Sequence, residues 1–275
     1  MNKESLVILS VYKNDLIENL MECMESIFSQ SYKSYEIYVQ EDGIVKQDVH
    51  NYLQELLKKE KISHLGTRKE NRGLAFSLNE LIRLGMLKNF EYYFRMDADD
   101  ICTFDRFSKQ ISFLKSNSSI SVCGGLIEEF NTENDFSHKV DYPKDDFRIK
   151  QKMVLRNSMA HVTTCLRKQF FEIVGLYDET KKNEDYDLWI RAIGENINFG
   201  NIDSVLVKVR VDNNFYNRRR DHGRAKELLL LKIKCVNILK LTRYNYIYAF
   251  GQYLVFMSPS FIKKFLYKNI RKYLT

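Results

Sequence analysis

The first 100 residues alternate between short apolar runs and stretches with apolar residues at helical spacing. The runs SLVILSV (5–11), YEIYVQ (35–40) and YYFRM (92–96) predict strands, and the stretches between them predict helices with one apolar face. Strands that alternate with helices are joined by right-handed crossovers and form a mostly parallel sheet. We therefore predict an α/β fold in which ligands bind beyond the carboxyl ends of the strands.

Some local features of this fold are also predicted. Asn14 and Asp15 are placed to cap the first helix, and Gly85 is expected to end the third. The run HVTTCLR (161–167) predicts a strand, whereas residues 131–150 predict a loop that contains one short helix.

Positive charge is concentrated towards the C-terminus. The net charge is +7, yet residues 208–275 hold 16 lysines and arginines against three acidic residues, and none of those follows Glu227. A basic tail predicts an anionic partner, either nucleic acid or an anionic membrane surface. In residues 261–273 the apolar side chains share one helical side and Lys264 and Lys268 lie on the other. This pattern favours a basic amphipathic helix on an anionic membrane over nucleic-acid binding.

Two further features concern the compartment. The five cysteines are scattered without a CxxC pair, which is typical of reduced thiols in a cytosol, and no apolar signal peptide opens the chain. Residues 244–262 carry no charge but are too polar to predict a membrane span. We therefore predict a cytosolic protein that attaches peripherally to an anionic membrane surface.

Acidic residues follow two of the predicted strands. Glu41 and Asp42 end the second strand, and Asp97, Asp99 and Asp100 follow the fourth. Because the carboxyl ends of parallel strands meet at one edge, these side chains are expected on the same rim. Carboxylates this close repel each other unless a positive charge lies between them. They are therefore either solvated turns or oxygen ligands of a hard cation such as Mg²⁺ or Mn²⁺.

Five motifs taken together bear on this choice. SVYKND, VQEDG, NRGLAFSLNELI, FRMDADD and NEDYDLWIR occur in this order along the chain. In these motifs, over roughly residues 5–220, the chain resembles the bacterial family 2 glycosyltransferases that build O-antigen, capsule or exopolysaccharide repeat units. The resemblance implies a GT-A catalytic domain over residues 1–215, with a Rossmann-like, mostly parallel central sheet flanked by helices. A basic, helical, membrane-associating region would follow over residues 216–275. It would attach a bacterial cytoplasmic enzyme peripherally to the cytoplasmic face of the inner membrane.

The resemblance also implies a donor site for a nucleotide sugar. Asp42 would hydrogen-bond the base, which is usually uracil in the family. Asp97 would face the ribose side of the nucleotide, and Asp99 would bind the divalent metal, Mn²⁺ or Mg²⁺, that bridges the diphosphate. The remaining nucleotide contacts implied are Arg68, Asn71 and Gly73.

On the acceptor side, the resemblance identifies Asp185 as the catalytic base. Its neighbour Glu184 is a candidate acceptor contact, although both carboxylates could simply favour a helix N-terminus. One base opposite a metal describes an in-line displacement that inverts the anomeric carbon. His161 is either a packed residue or an acceptor contact, and Trp189 is either a core residue or a surface on which a sugar stacks.

One position departs from the family pattern. Asp212 stands where many members have a histidine that reaches the metal or the diphosphate, so metal coordination on that side is in doubt. The cluster Arg218, Arg219 and Arg220 follows and resembles a basic cluster in relatives that build surface polysaccharides. These arginines would either bind a diphosphate of the donor or of a lipid-linked acceptor, or form a solvated loop.

These features together predict an inverting, metal-dependent glycosyltransferase. The donor would be a nucleotide sugar, with UDP favoured over GDP or dTDP by the resemblance, and the acceptor a polyprenyl-diphosphate-linked saccharide. Two alternatives stay open. A sugar-phosphate nucleotidyltransferase would carry a glycine-rich loop after the first strand, and SVYKNDL has no glycine. A non-catalytic nucleotide-sugar-binding protein would lack the base carboxylate, and Asp185 is present. No oligomeric state is predicted.

Overall fold

The predicted alternation of strands and helices is present in a computed structural model of the chain, which describes residues 3–132, 136–211 and 222–257. The first half contains β1 (Ser5–Val11), α1 (Ile17–Phe28), β2 (Tyr35–Glu41), α2 (Gln47–Lys58), β3 (His64–Gly66), α3 (Leu74–Leu87) and β4 (Tyr92–Asp97). The second half contains β5 (Ile101–Cys102), α4 (Arg106–Ser116), β6 (Ile120–Asn131), β7 (Phe136–Val140), α5 (Asp146–Met153), β8 (Cys165–Arg167), α6 (Lys168–Val174), α7 (Glu184–Gly194), β9 (Asn198–Arg210), α8 (His222–Ile238) and α9 (Tyr244–Met257).

The strands form one sheet in the order β3-β2-β1-β4-β8-β6-β9-β5, with β7 paired to β6. The long pairings of β1 with β2 and β4, and of β6 with β9, are parallel, and those of β5, β7 and β8 are short and antiparallel. Ser10 lies opposite Asp97, and Val11 lies opposite Glu41. The carboxyl ends of β1, β2 and β4 therefore meet at one edge, which confirms the predicted α/β architecture.

Both faces of the sheet are buried. Alternate residues of β1 enter two different cores, with Leu6 and Ile8 in the cluster that contains Trp189 and with Val7 and Leu9 in the other. Because β1 is covered on both sides, its sequence is continuously apolar rather than alternating.

The start of α1 differs from the prediction that Asn14 or Asp15 caps it. The residue that precedes the helix is Leu16, which makes no side-chain capping bond. The Asp15 carboxylate instead accepts a hydrogen bond from the Tyr12 backbone N–H at 2.8 Å. The prediction was wrong because Asp15 closes the turn after β1, one step before the helix.

Two predictions for the second half were also wrong in detail. His161–Thr163 forms a 3-10 turn, and only Cys165–Arg167 continues as strand β8. The region predicted as a loop contains β7, which pairs antiparallel with β6 from Phe136 to Val140. Strand β7 is mostly polar and exposed, so it lacks the apolar alternation from which a strand is predicted, although its partner β6 directly precedes it.

Helix α8 packs into one of the two apolar cores of the sheet. Leu231, Cys235 and Val236 of α8 belong to the same apolar cluster as Trp189 of α7. No helix among the described residues is long and apolar enough to cross a membrane. The predicted amphipathic helix over 261–273 lies outside the described residues.

Gly85 does not end α3, which continues to Leu87. Its lack of a side chain serves close packing instead. A Cβ atom at this position would lie 2.5 Å from Leu6 Cδ2 and 2.8 Å from Tyr93 Cε1. The helix can therefore approach β1 and β4 closely only with glycine here.

We expect Gly85→Ala to lower the free energy of unfolding by about 1–2 kcal/mol, because overpacking costs about 1–3 kcal/mol and exceeds the helix propensity that alanine gains. Urea unfolding measures the change. Gly194→Ala in α7 is the matched control, since its Cβ would meet Ile238 Cδ1 at an ordinary 3.7 Å. Equal effects of the two substitutions would contradict the packing explanation.

Candidate donor and catalytic site

A cleft of about 530 Å³ opens at the edge where the parallel strands end. Its walls come from β1 and the loop after it, the end of β2, the loop before α3, and the ends of β4, β6 and β9. Five residues of the predicted donor site line it: Asp42, Asn71, Gly73, Asp97 and Asp99. Residues far apart in the sequence are thus brought to one surface by the sheet.

Asp42 is buried and accepts several hydrogen bonds from the protein. Its Oδ1 atom receives the Arg72 backbone N–H at 2.8 Å and the Arg68 guanidinium at 2.8–3.0 Å. Among the described residues, its Oδ2 atom receives only the Gly73 backbone N–H, at 2.9 Å. A carboxylate oxygen can accept two hydrogen bonds, so Oδ2 keeps capacity for a ligand.

Arg68 and Gly73 position Asp42 in different ways. Arg68 also donates to Glu80 and Ser77 and does not line the cleft, so it supports Asp42 from behind. Gly73 has φ +91°, a conformation that favours glycine, and this turns its N–H towards the carboxylate. Asn71 donates from Nδ2 to the Asp42 carbonyl oxygen at 3.0 Å.

The carboxylates after β4 have separate partners. Asp97 forms two 2.5 Å contacts with the guanidinium of Arg95, a buried residue of the same strand. Asp100 is buried away from the cleft and accepts the Arg210 backbone N–H at 2.9 Å. Asp99 lines the cleft, and its carbonyl oxygen accepts from Arg210 Nε at 3.2 Å. Asp97 and Asp99 are therefore the two carboxylates that a ligand in the cleft can reach.

Two carboxylates of the cleft, Asp99 and Asp15, hold protons unusually tightly. Burial raises the pKa of Asp99 to about 6, and the charge of Asp97 adds to the effect. Burial likewise raises the pKa of Asp15, which also lines the cleft, to about 7, with repulsion from Asp99 and Asp97 adding to it. A divalent cation would relieve this repulsion, and carboxylate oxygens are the ligands that Mg²⁺ and Mn²⁺ prefer. These residues therefore fit such an ion.

A divalent ion at these carboxylates would need further oxygen ligands. The described residues contain no group of three His, Cys, Asp or Glu side chains arranged to hold a metal ion. Mg²⁺ is commonly bound by one or two carboxylates together with substrate phosphates. Asp97 and Asp99 supply the carboxylates, so oxygens of a bound diphosphate would have to complete the coordination.

Asp185 lies in the first turn of α7, outside the lining of the cleft. Its Oδ2 atom accepts a hydrogen bond from Asn157 Nδ2 at 2.7 Å, and the carboxylate remains partly exposed. Burial raises the pKa of the adjacent Glu184 to about 7, and the charge of Asp185 adds to the effect. Asp187 is buried in an ion pair with Arg191 at 2.8 Å, which is a structural role.

The other candidates on this side differ in accessibility. His161 is partly exposed, and its Nε2 lies 2.8 Å from the Tyr177 hydroxyl. Trp189 is fully buried against Phe170 and Phe199. It has no exposed surface on which a sugar could stack, so its assignment as a possible acceptor contact is corrected to packing. The candidates outside the described residues are Asp212, Arg218, Arg219 and Arg220.

Arg95 connects the two sides of the site. Besides its contacts with Asp97, its positive charge acts on two groups beyond it. Burial raises the pKa of Glu184, which Arg95 partly offsets, and burial lowers the pKa of His161, to which Arg95 adds. Arg95 was not predicted as a site residue, although an arginine inside the apolar strand YYFRM is itself an unusual signal. Nor were Tyr12 and Asp15, the second of which was predicted only as a helix cap, although both lie within the motif SVYKND and line the cleft.

Comparison with known proteins identifies the family. Residues 6–174 match the model described as glycosyl transferase family 2. An uncharacterised glycosyltransferase of Haemophilus influenzae is 32% identical over 272 residues, covering 97% of this chain and 98% of the relative. The amylovoran biosynthesis glycosyltransferase AmsE of Erwinia amylovora is 29% identical, with the same coverage of both chains.

A more distant relative and two solved structures complete the comparison. UDP-Gal:alpha-D-GlcNAc-diphosphoundecaprenol beta-1,3-galactosyltransferase of Escherichia coli is 25% identical, covering 78% of this chain and 76% of its own. Mannosyltransferase PcManGT from Pyrobaculum calidifontis, solved with GDP-Man and Mn²⁺, superposes with a TM-score of 0.63 at 13% identity, covering 100% of this chain and 81% of that one. S. aureus TarS, solved with UDP-GlcNAc, superposes with a TM-score of 0.61 at 13% identity, covering 98% of this chain and 86% of that one.

The fold and the domain match agree. The chain belongs to glycosyl transferase family 2 and is a glycosyltransferase, as the motifs predicted. Its relatives include enzymes named for exopolysaccharide and O-antigen biosynthesis. The solved structures support the GT-A-like fold.

Asp15 offers a test of the repulsion in the cleft. Its pKa is raised from 3.8 to about 7, so the folded state binds a proton more tightly than the unfolded state and loses stability as pH rises between these values. Without metal or nucleotide, we expect Asp15→Asn to raise the free energy of unfolding at pH 8 by about 1–3 kcal/mol, allowing for partial solvation.

The gain should shrink towards zero near pH 4, where Asp15 is protonated in the folded wild type. Urea unfolding at both pH values measures it. Asp105→Asn, which removes an exposed pair with Lys109, is the control and should change stability by less than about 1 kcal/mol. A gain that does not vary with pH would contradict the explanation.

Proposed function

We propose that this glycosyltransferase is an inverting, metal-dependent enzyme that transfers a sugar from a UDP sugar to a lipid-linked saccharide. The observation that carries the proposal is the placement of Asp42, Asp97 and Asp99 around one cleft while Asp185 lies on a separate helix beyond it. Such a division suits a donor on one side and an acceptor hydroxyl on the other.

The donor nucleotide occupies the cleft between β1 and β4. Asp42 accepts a hydrogen bond from the base through its less occupied oxygen, and the Tyr12 ring in the same wall offers a surface for stacking. The backbone around Gly73 is already held to Asp42, so the base meets a preformed site. The GDP-Man and UDP-GlcNAc named for the two solved structures support a nucleotide sugar as donor.

Asp99 would hold Mn²⁺ or Mg²⁺ at the donor diphosphate, as the resemblance implies. Asp97, for which the resemblance implied the ribose side, would be a second ligand of the ion. The bound ion supplies Lewis-acid stabilisation of the charge that the departing nucleoside diphosphate gains. Arg95 holds Asp97 in place through two contacts, so this carboxylate does not have to be ordered when the donor binds.

Asp185 removes the proton from the attacking acceptor hydroxyl. Asn157 fixes the orientation of one carboxylate oxygen, and partial exposure leaves the group accessible to an acceptor. A general base must lie within hydrogen-bond reach of the proton it takes. A base without a protein nucleophile gives a single displacement, and a single displacement inverts the anomeric carbon.

The acceptor proposed is a polyprenyl-diphosphate-linked saccharide. The E. coli relative whose name specifies a diphosphoundecaprenol acceptor supports this class. Family membership stands against the sugar-phosphate nucleotidyltransferase alternative.

The described C-terminal helices support attachment to an anionic membrane. Helix α9 exposes an apolar stripe at helical spacing, with Ile247 69% and Leu254 66% exposed. Lys240 and Arg243, just before it, are also exposed. An apolar face beside basic residues suits a bilayer with anionic lipids, which would bring the enzyme to a lipid-linked acceptor.

Calorimetric titration with UDP, GDP and dTDP, with and without Mn²⁺, tests the donor site. We expect UDP to bind most tightly, to need Mn²⁺, and to lose about 10–100-fold in affinity in Asp99→Asn. Affinity in Mn²⁺ should also fall below pH 6, because the ligand carboxylate must be deprotonated and burial raises the pKa of Asp99 to about 6.

Asp185→Asn is the matched control in this titration. It should bind UDP as the wild type does while losing turnover, since Asp185 does not line the donor cleft. UDP affinity that depends neither on Mn²⁺ nor on Asp99 would contradict the proposed metal dependence.

Co-sedimentation with vesicles tests the membrane surface. We expect wild-type protein to bind vesicles containing phosphatidylglycerol, and the double variant Ile247→Gln, Leu254→Gln to bind several-fold less, because the apolar stripe supplies buried area. Leu87→Gln, which changes an 85% exposed leucine at the end of α3, is the control. If all three proteins sediment equally, α9 is not the contact.

A further inference from the structure

Helix α8 contacts the segment that leads into the helix of Asp185. The Glu227 carboxylate accepts hydrogen bonds from the backbone N–H groups of Lys182, at 3.1 Å, and Asn183, at 2.8 Å. It also accepts from Asn183 Nδ2 at 3.0 Å. Asn183 directly precedes α7, so Glu227 holds the entry to the helix that carries the base.

Arg224, one turn earlier on α8, completes this contact. Its Nη2 donates to the Lys182 carbonyl oxygen at 2.6 Å, and its own carbonyl oxygen accepts from Asn183 Nδ2 at 3.1 Å. The Asn183 side chain therefore binds α8 and does not cap α7. The usual capping role of this residue is replaced by a bond to another helix.

The C-terminal helices also hold the second segment beside the base. Lys232, which is 3% exposed, donates from Nζ to the carbonyl oxygens of Val154 and Leu155. Gln252 of α9 donates to the Leu155 carbonyl oxygen at 3.1 Å. Two residues later, Asn157 donates to the Asp185 carboxylate at 2.7 Å.

Helix α8 thus holds both the backbone that carries Asp185 and the segment that carries its hydrogen-bond partner Asn157. The backbone that carries Asp185 is tied to Glu227, and the segment that carries its partner Asn157 is tied to Lys232. These anchors lie after residue 174, where the family match ends. They are on the acceptor side, and none of them lines the donor cleft.

We propose that Glu227 and Lys232 are positioning residues for the catalytic base, so that α8 is part of the acceptor side of the active site. The proposal rests on the proposed role of Asp185. A base displaced by about 1 Å can cost about 100-fold in rate, so anchors that never touch the substrate can still control turnover.

The alternative is that α8 only stabilises the fold. The two roles differ in what a substitution changes. Loss of stability lowers the number of folded molecules, and therefore lowers nucleotide-binding sites and turnover together. Loss of positioning lowers the rate of each folded molecule and leaves donor binding intact.

The experiment compares Glu227→Ala, Glu227→Gln and Lys226→Ala in the full chain. Turnover is measured as UDP release from whichever of UDP-glucose, UDP-galactose and UDP-N-acetylglucosamine the wild type uses, with an undecaprenyl-diphosphate-linked N-acetylglucosamine acceptor. UDP sites are counted by titration in Mn²⁺. Hydrogen–deuterium exchange follows peptides covering residues 182–190, which report on α7 independently of any acceptor.

We expect Glu227→Ala to lower kcat by about 10–100-fold, with KM for the donor and the number of UDP sites unchanged. Exchange in residues 182–190 should accelerate. Glu227→Gln should recover most of the rate. Oε1 of Glu227 accepts all three bonds described above, and the amide oxygen of glutamine can accept them in its place. Lys226→Ala, one exposed residue away, should behave as the wild type.

We expect Lys232→Met, which keeps the side-chain volume and removes the hydrogen-bond donor, also to lower kcat and to leave KM for the sugar donor unchanged. The proposal is overturned if Glu227→Ala and Lys232→Met keep wild-type kcat while Asp185→Asn abolishes turnover. It is equally overturned if turnover falls only in proportion to UDP sites. Turnover retained by Asp185→Asn itself would instead refute the assignment of the base.

Discussion

Electrostatic repulsion at the end of β4 is the constraint around which this site is organised. Three aspartates within four positions follow a strand that is buried on both faces. Arg95 offsets part of this charge through its contacts with Asp97. A second buried arginine, Arg106, donates to the Arg95 carbonyl oxygen at 2.8 Å and to the Val162 carbonyl oxygen at 2.9 Å. Two buried guanidinium groups therefore stabilise the acidic end of β4, Arg95 by direct contact with Asp97 and Arg106 by a hydrogen bond to the Arg95 carbonyl oxygen.

This arrangement links the two halves of the chain. Arg106 belongs to α4 and ties β4 to the 3-10 turn that contains His161 and Val162. The same turn lies beside Tyr177, which follows α6 and lies near the helix of the base. Arg95 and Arg106 thus connect the acidic end of β4 to the turn that precedes β8. Substitution of either arginine is expected to change both regions.

The fold could be predicted from the sequence because its main strands are fully buried and read as continuous apolar runs. The meeting of Asp42, Asp97 and Asp99 followed from a general rule, that parallel strands present their carboxyl ends at one edge. Two features could not be predicted, for different reasons. Strand β7 is adjacent to its partner β6 but mostly polar and exposed, so it has no apolar alternation. The bonds of Glu227 span 44 residues to Asn183, and such long-range contacts leave no local pattern.

The hydrogen bonds around Asp42 have a consequence for which bases the cleft can read. Because the carboxylate already receives N–H groups from Arg68, Arg72 and Gly73, it acts towards a ligand only as an acceptor. Uracil, thymine and guanine carry a ring N–H on their pairing edge that can donate to this carboxylate. Adenine and cytosine present a ring nitrogen lone pair there, so only their exocyclic amino group can donate to it. A base that meets Asp42 through its ring nitrogen would accordingly be one of the first three, because two facing lone pairs repel.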